Sequence, residues 1–198
     1  MIKPDISYVR DIHEFYSEIK KQQSGAHGIE YNAHHDALIN CAKKCKIVKE
    51  IGVCQGATLA GLMLTNPKKL IGLDIAPYYF EPYKKHFEKY STDNQIDFEY
   101  RVQNSTEPES VDEVDMLHID SSHYPEHLMK ELKLHAPSVK KYIVFHDTAN
   151  FSTSKGLFKT IATYITEIEQ KWKIIDHYIH RVGYTVIERV DRIKSHRE

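Results

Sequence analysis

The chain has 198 residues, 27 Lys and Arg against 28 Asp and Glu, a formal net charge of -1 and a hydrophobic fraction of 41%. That length fits one domain burying roughly 70% of its unfolded surface, and the charge balance excludes a disordered polyelectrolyte and gives no electrostatic footprint for nucleic acid or an anionic membrane. Thirteen histidines are the unusual feature, so metal binding or acid–base chemistry has to be tested position by position.

Met1 to Asp5 lacks the apolar run of a signal peptide, and no stretch approaches the roughly 18 apolar residues of a membrane span, so a cytoplasmic chain with no membrane partner is expected. Cys41, Cys45 and Cys54 form no CxxC pair, which argues against a disulfide framework or zinc knuckle. Cys41 and Cys45 are one helical turn apart and read as helix packing.

Ile12, Phe15, Tyr16 and Ile19 share one helical face and predict a helix over Ile12–Gln22; Asn32–Lys44 is a second, with Ser24–Gly28 as the loop between them. Residues 1–45 therefore read as a helical N-terminal extension and 46–198 as one compact unit. From residue 46, short apolar runs alternate with helical segments, the pattern of successive βα units and a parallel sheet. Predicted strands are Ile47–Ile51, Leu70–Leu73, Ile96–Val102, Met116–Ile119 and Tyr142–Phe145. Helices are expected after Gly56, over Tyr78–Tyr90, from Pro125 with Leu128, Leu132 and Ala136 on one face, and over Gly156–Gln170. Trp172–Ile179 and Tyr184–Ile187 resemble an antiparallel pair around a turn containing Gly183. The expected class is α/β, with a mostly parallel sheet and helices on both faces.

Each of the five parallel strands ends on a polar residue: Glu50, Asp74, Asn104, Asp120 and the pair His146-Asp147. In open α/β sheets ligands bind beyond the carboxyl ends of the strands, so these residues should converge on one crevice. Singly, each also reads as a loop or helix cap. The first turn, Glu50-Ile51-Gly52-Val53-Cys54-Gln55-Gly56, fails the GxGxxG dinucleotide pattern, and no Gly-Lys-Ser/Thr makes a phosphate loop. An acidic residue, a tight glycine turn and a helix remain, which suits a ligand with a ribose and a cationic group; Asp74 can accept from both ribose hydroxyls.

These residues resemble the first motif, E-x-G-x-G-x-G, of class I S-adenosylmethionine-dependent methyltransferases, with Cys54 at the middle glycine. The resemblance implies a Rossmann-like fold with seven strands, Glu50 near the methionine end of S-adenosyl-L-methionine, Gly52 and Gly56 lining its backbone wall, Asp74 on the ribose, and Asn104 with Ser105 bordering adenine. Leu117-His118-Ile119-Asp120-Ser121-Ser122-His123, continuing through Glu126, Leu128, Glu131, Leu132 and Pro137 to Tyr142–Thr148, is similar to the cephalosporin hydroxylase and rhamnosyl O-methyltransferase family and to macrocin-type sugar O-methyltransferases. Together the matching stretches cover about residues 46 to 150. That likeness implies a divalent cation, Mg or Mn, beside S-adenosyl-L-methionine, held by Asp120 and Asp147, with His146 standing where metal-binding members have an acid.

The expected activity is methyl transfer to a hydroxyl, with a sugar or glycan (rhamnose-like) as first choice of acceptor. Asp120 and Asp147 would hold the cation, and His123, which titrates near neutrality, would accept the hydroxyl proton. Alternatives are a non-sugar hydroxyl acceptor, a non-catalytic cofactor-binding α/β protein and, disfavoured by the missing GxGxxG, a dehydrogenase. His123 and His127 as a metal pair is discounted because Pro125 lies between them, and Tyr78, Tyr79, Phe80 and Tyr83 read as packing before stacking on an acceptor. A homo-oligomer is compatible with the sequence. Of the thirteen histidines only His123 and His146 stand beside convergent carboxylates; the other eleven are expected to have no convergent partners.

Overall fold

The computed structural model describes residues 8–149, 156–169 and 171–190, and for residues 22–32 the backbone alone. Among these residues the elements in chain order are α1 (Ile12–Ala42), β1 (Ile47–Ile51), α2 (Ala57–Met63), β2 (Lys69–Asp74), α3 (Lys84–Asp93), β3 (Asp97–Val102), β4 (Val114–Ile119), α4 (Pro125–His135), β5 (Val139–His146), α5 (Leu157–Thr163), β6 (Trp172–Tyr178) and β7 (Tyr184–Arg189). The strands form one sheet in the order β3-β2-β1-β4-β5-β7-β6. The first five are parallel, and β7 runs antiparallel between β5 and β6. This is the expected Rossmann-like arrangement. The chain reverses its direction of travel across the sheet between β1 and β4, and at such a switch point the loops part and leave a crevice.

Strand alternation sorts the core into two halves. Val48, Leu70, Met116, Val144 and Val186 face α1, α2 and α3, whereas Ile51, Ile71, Leu73, Leu117, Ile119, Ile143, Phe145 and Ile187 face α4 and α5. Burial on both faces is why β1, β2, β4 and β5 read as nearly continuous apolar runs. Three polar side chains within these strands, Lys49, Glu50 and His118, are buried with the rest.

Three elements depart from the sequence expectation. The N-terminal helices are one: α1 runs unbroken through Ser24–Gly28. Asp11 caps it, its carboxylate accepting from the backbone N–H groups of His13 and Glu14 at 2.9 Å each. Glycine inside a helix costs about 1 kcal/mol. Burial of Ile12, Phe15 and Ile19 towards one end, and of Leu38, Cys41 and Ala42 at the other, offsets that cost by holding both halves on the same core. The helix expected over Tyr78–Tyr90 begins only at Lys84, after a 3-10 turn at Pro77–Tyr79. Pro82 disfavours helical backbone at Glu81, so the segment cannot continue as one helix. The helix expected over Gly156–Gln170 is regular only to Thr163 and closes in a wider π turn, Tyr164–Ile168; Gln170 lies outside the described residues.

Cys41 and Cys45 are free thiols buried at the end of α1, in keeping with a packing role. No helix among the described residues is long and apolar enough to cross a membrane.

Candidate active site at the carboxyl edge of the sheet

The turn after β1 is compact because three of its residues take left-handed backbone: Gly52 at φ 89°, Cys54 at 50° and Gly56 at 87°. A Cβ at Gly52 would collide with the carbonyl oxygen of Asp120, so the turn rests directly on the end of β4. At Gly56 a Cβ would press on the rings of Phe80 and Phe87. Both glycines are thus required by the protein's own packing. Asp74, at the end of β2, braces the turn from the other side: one carboxylate oxygen accepts from the Cys54 N–H at 2.7 Å and the other from Ala76 N–H at 2.8 Å. Each oxygen retains a second lone pair for a ligand.

Across the switch point, β4 and β5 bring together four chemically active side chains. His146 Nδ1 is 3.2 Å from Asp120 Oδ1 and 3.6 Å from Asp147 Oδ1, and His123 Nε2 is 2.7 Å from Asp147 Oδ2 and 4.0 Å from Asp120 Oδ1. The Asp120 N–H continues the β1–β4 ladder by donating to the Ile51 carbonyl at 2.8 Å, which fixes where its side chain starts. Asp147 follows β5 at φ 55°. Burial alone would push the Asp120 carboxyl up, but the facing His146, with His118 and His123 further off, reverses this and holds it below the usual range. The contact with Asp147 raises His123 above the ordinary imidazole value, against the opposing effect of burial.

Glu50 is placed differently. It is fully buried, with Oε1 accepting from the Thr58 hydroxyl and lying 2.9 Å from His118 Nδ1, while Oε2 has no protein partner. Burial pushes its carboxyl up, partly offset by the bonds to His118 and Thr58. Asn104 is engaged locally, its Oδ1 accepting from the N–H and hydroxyl of Thr106 at 3.0 Å each. Ser105 is buried and donates its hydroxyl to Glu131 at 2.6 Å.

The expectation that eleven histidines lack convergent partners is corrected. Glu50 on β1 pairs in register with His118 on β4, and alternation puts Val144 and His146 on that same face of β5. Over them α1 lays His34, 1% exposed, its ring stacked on His146 at 4.3 Å with an 18° interplanar angle and 5.2 Å from His118. Burial and the neighbouring imidazoles push His34 well below the usual value, which favours its neutral form. On the other face Glu131 of α4, 0% exposed, accepts from Ser105 after β3 and from Ser121 after β4 at 2.7 Å, and lies 3.2 Å from His127 Nε2. His135, one turn on, sits 2.8 Å from the Ser105 carbonyl. Period-two alternation could have paired Glu50 with His118, and helical spacing could have aligned His127, Glu131 and His135. Nothing local connects either set to its partners on other elements.

No family model and no curated protein sequence matches the chain. Solved structures do. A methyltransferase of Podospora anserina bound to S-adenosylhomocysteine superposes with a TM-score of 0.62 at 16% identity, covering 92% of this chain and 89% of that one. A protein from Corynebacterium glutamicum gives 0.68 at 12% identity, covering 89% and 90%. An O-methyltransferase of Bacillus cereus with S-adenosylhomocysteine gives 0.59 at 15%, covering 94% of each. The chain has the methyltransferase fold. Within that fold the residues could hold the two groups expected from the sequence. Asp74 offers acceptor capacity beside the turn, and the orphaned Oε2 of Glu50 is a buried acceptor in want of a donor. Asp120, His146 and Asp147 each offer one donor atom, all within 4.8 Å of one another, which is the spacing of ligands around one divalent ion.

Proposed function

We propose that the chain is an S-adenosylmethionine-dependent O-methyltransferase, assisted by a divalent cation and acting on a hydroxyl of a sugar or glycan. The observation that carries this reading is a glycine turn held between the Asp74 carboxylate, through the Cys54 N–H, and the backbone of Asp120, whose side chain belongs to an Asp-His-Asp cluster. The likeness to solved methyltransferases supports the fold on which the reading rests. A non-sugar hydroxyl is the alternative acceptor.

Glu50 and Asp74 would hold S-adenosyl-L-methionine by its amino end and ribose, with the backbone of Gly52 and Gly56 lining its wall and Asn104 and Ser105 near adenine. Asp120, His146 and Asp147 would hold the cation. When bound, the first supplies an electrophilic methyl on a sulfonium and the second lowers the pKa of a coordinated hydroxyl. His123 takes the proton released as the C–O bond forms and the C–S bond breaks. With Nε2 against Asp147, Nδ1 is the nitrogen left to receive it, and Asp147 orients the ring and stabilises the imidazolium. The test is transfer of labelled methyl by the full chain to a panel of glycans and phenols, with and without exhaustive chelation. Transfer to a glycan that stops on chelation supports the reading; labelling of no hydroxyl acceptor rejects it.

A further inference from the structure

Resting on the reading of this cluster as a cation site, we propose that it selects a nitrogen-accepting divalent ion, of the zinc, cobalt, nickel or iron(II) kind, ahead of magnesium, with His146 as the selecting ligand.

Magnesium and calcium are hard ions whose protein sites are built from oxygen and, for magnesium, retained water. An imidazole among the donors moves preference towards zinc, nickel and iron. In this cluster the imidazole is central: His146 Nδ1 faces Asp120 Oδ1 at 3.2 Å and Asp147 Oδ1 at 3.6 Å. Around one ion with bonds of about 2.0–2.2 Å, adjacent donors stand about 3 Å apart and opposite ones about 4 Å, so this spacing needs little adjustment. Two carboxylates and a neutral imidazole also balance the charge of a divalent ion.

His146 is not free to turn its nitrogen away without cost. Its ring lies flat on His34, which is buried and also stands 5.2 Å from His118, so tilting the imidazole out of this plane presses on a core side chain of α1. Asp120 is fixed at its backbone by the Ile51 carbonyl, and Asp147 is held on its outer oxygen by His123 at 2.7 Å, leaving the other oxygen towards His146. Supporting contacts of this kind orient ligands and raise affinity by about 10–100-fold.

The test uses the full chain freed of metal by chelation. Cobalt(II) is titrated while its visible ligand-field absorption is followed, and magnesium and zinc are titrated by calorimetry. The expected result is cobalt and zinc binding at least about 100-fold tighter than magnesium, with the gap narrowing below about tenfold in His146→Asp as magnesium binding strengthens. Magnesium within tenfold of cobalt on the unaltered chain overturns the proposal whatever the variant does, and so does an unchanged preference in a folded His146→Asp. Stabilisation by S-adenosylhomocysteine is measured in parallel without metal. Its presence with no cobalt preference defeats the ion selection and leaves the methyltransferase reading standing; its absence with the predicted preference does the reverse.

Discussion

At Gly52 the fold and the candidate site depend on one backbone conformation. Its φ of 89° and its contact with the Asp120 carbonyl leave no room for a side chain. Gly52→Ala is expected to destabilise the protein by at least about 1–2 kcal/mol, the cost of left-handed backbone, and more through the collision. Thermal melting checks this, and an unchanged melting temperature would show that the turn is looser than described. His123 carries a different expectation because it is half-exposed and touches Asp147 through one nitrogen. His123→Ala should lower methyl transfer by about 10²–10⁴-fold while leaving S-adenosylhomocysteine affinity within twofold. Full turnover in that variant would remove the base assignment.

Among the elements, α4 does more than cover the sheet. Its buried Glu131 ties the loop after β3, through Ser105, to the loop after β4, through Ser121, so two walls of the crevice share one carboxylate. In Glu131→Leu the hydroxyls of Ser105 and Ser121 lose a buried acceptor, a loss of about 1–3 kcal/mol for each group left unpaired. Urea unfolding should show that loss, and calorimetry should show weaker S-adenosylhomocysteine binding; a stable variant with unaltered binding would make Glu131 mere filling. This tie also marks where sequence reading stops. The succession of strands along the chain, the parallel core and the strand-end positions of Asp74, Asp120 and His146-Asp147 were legible because each follows from alternation, turn chemistry or the end of an apolar run, whereas the order of the strands within the sheet was not read. Contacts between elements far apart in sequence were not: His34 reaches His146 on β5 from α1, and Glu131 reaches Ser105 from α4, on the far side of β4 in the chain. The continuity of α1 through Ser24–Gly28 was misread for a related reason, since local glycine propensity loses to burial at both ends of the helix.

For the whole molecule, the pH range of stability follows from charges inside the α/β layers. Lys49, 1% exposed in β1, is held by Asp112 at 2.8 Å and by the Ser110 carbonyl, and Arg101 makes two further contacts to Asp112 at 3.0 Å. Burial would push the Asp112 carboxyl up, but the hydrogen bonds and charges of Lys49 and Arg101 outweigh it and hold it below its ordinary 3.8. A carboxyl depressed on folding contributes stability above its unfolded value and loses it as pH falls through the folded one. Asp112→Asn should therefore cost about 2 kcal/mol at pH 7, less than a fully buried pair because Asp112 is partly exposed, and the difference should shrink as pH falls below 3.8 and through the folded-state value. Denaturant unfolding of both proteins across that range checks the sign; a penalty that grew on acidification would contradict it.

The central claim is that the crevice at the switch point, with Asp74 on one side of the glycine turn and Asp120 on the other, binds S-adenosylmethionine. Calorimetry of the full chain with S-adenosylhomocysteine tests it most directly, set beside NAD and the Asp74→Ala variant. One saturable site for S-adenosylhomocysteine, weakened at least about tenfold by removing the ribose carboxylate, and no heat with NAD are the predicted results. Absence of S-adenosylhomocysteine binding, or binding indifferent to Asp74, would contradict it.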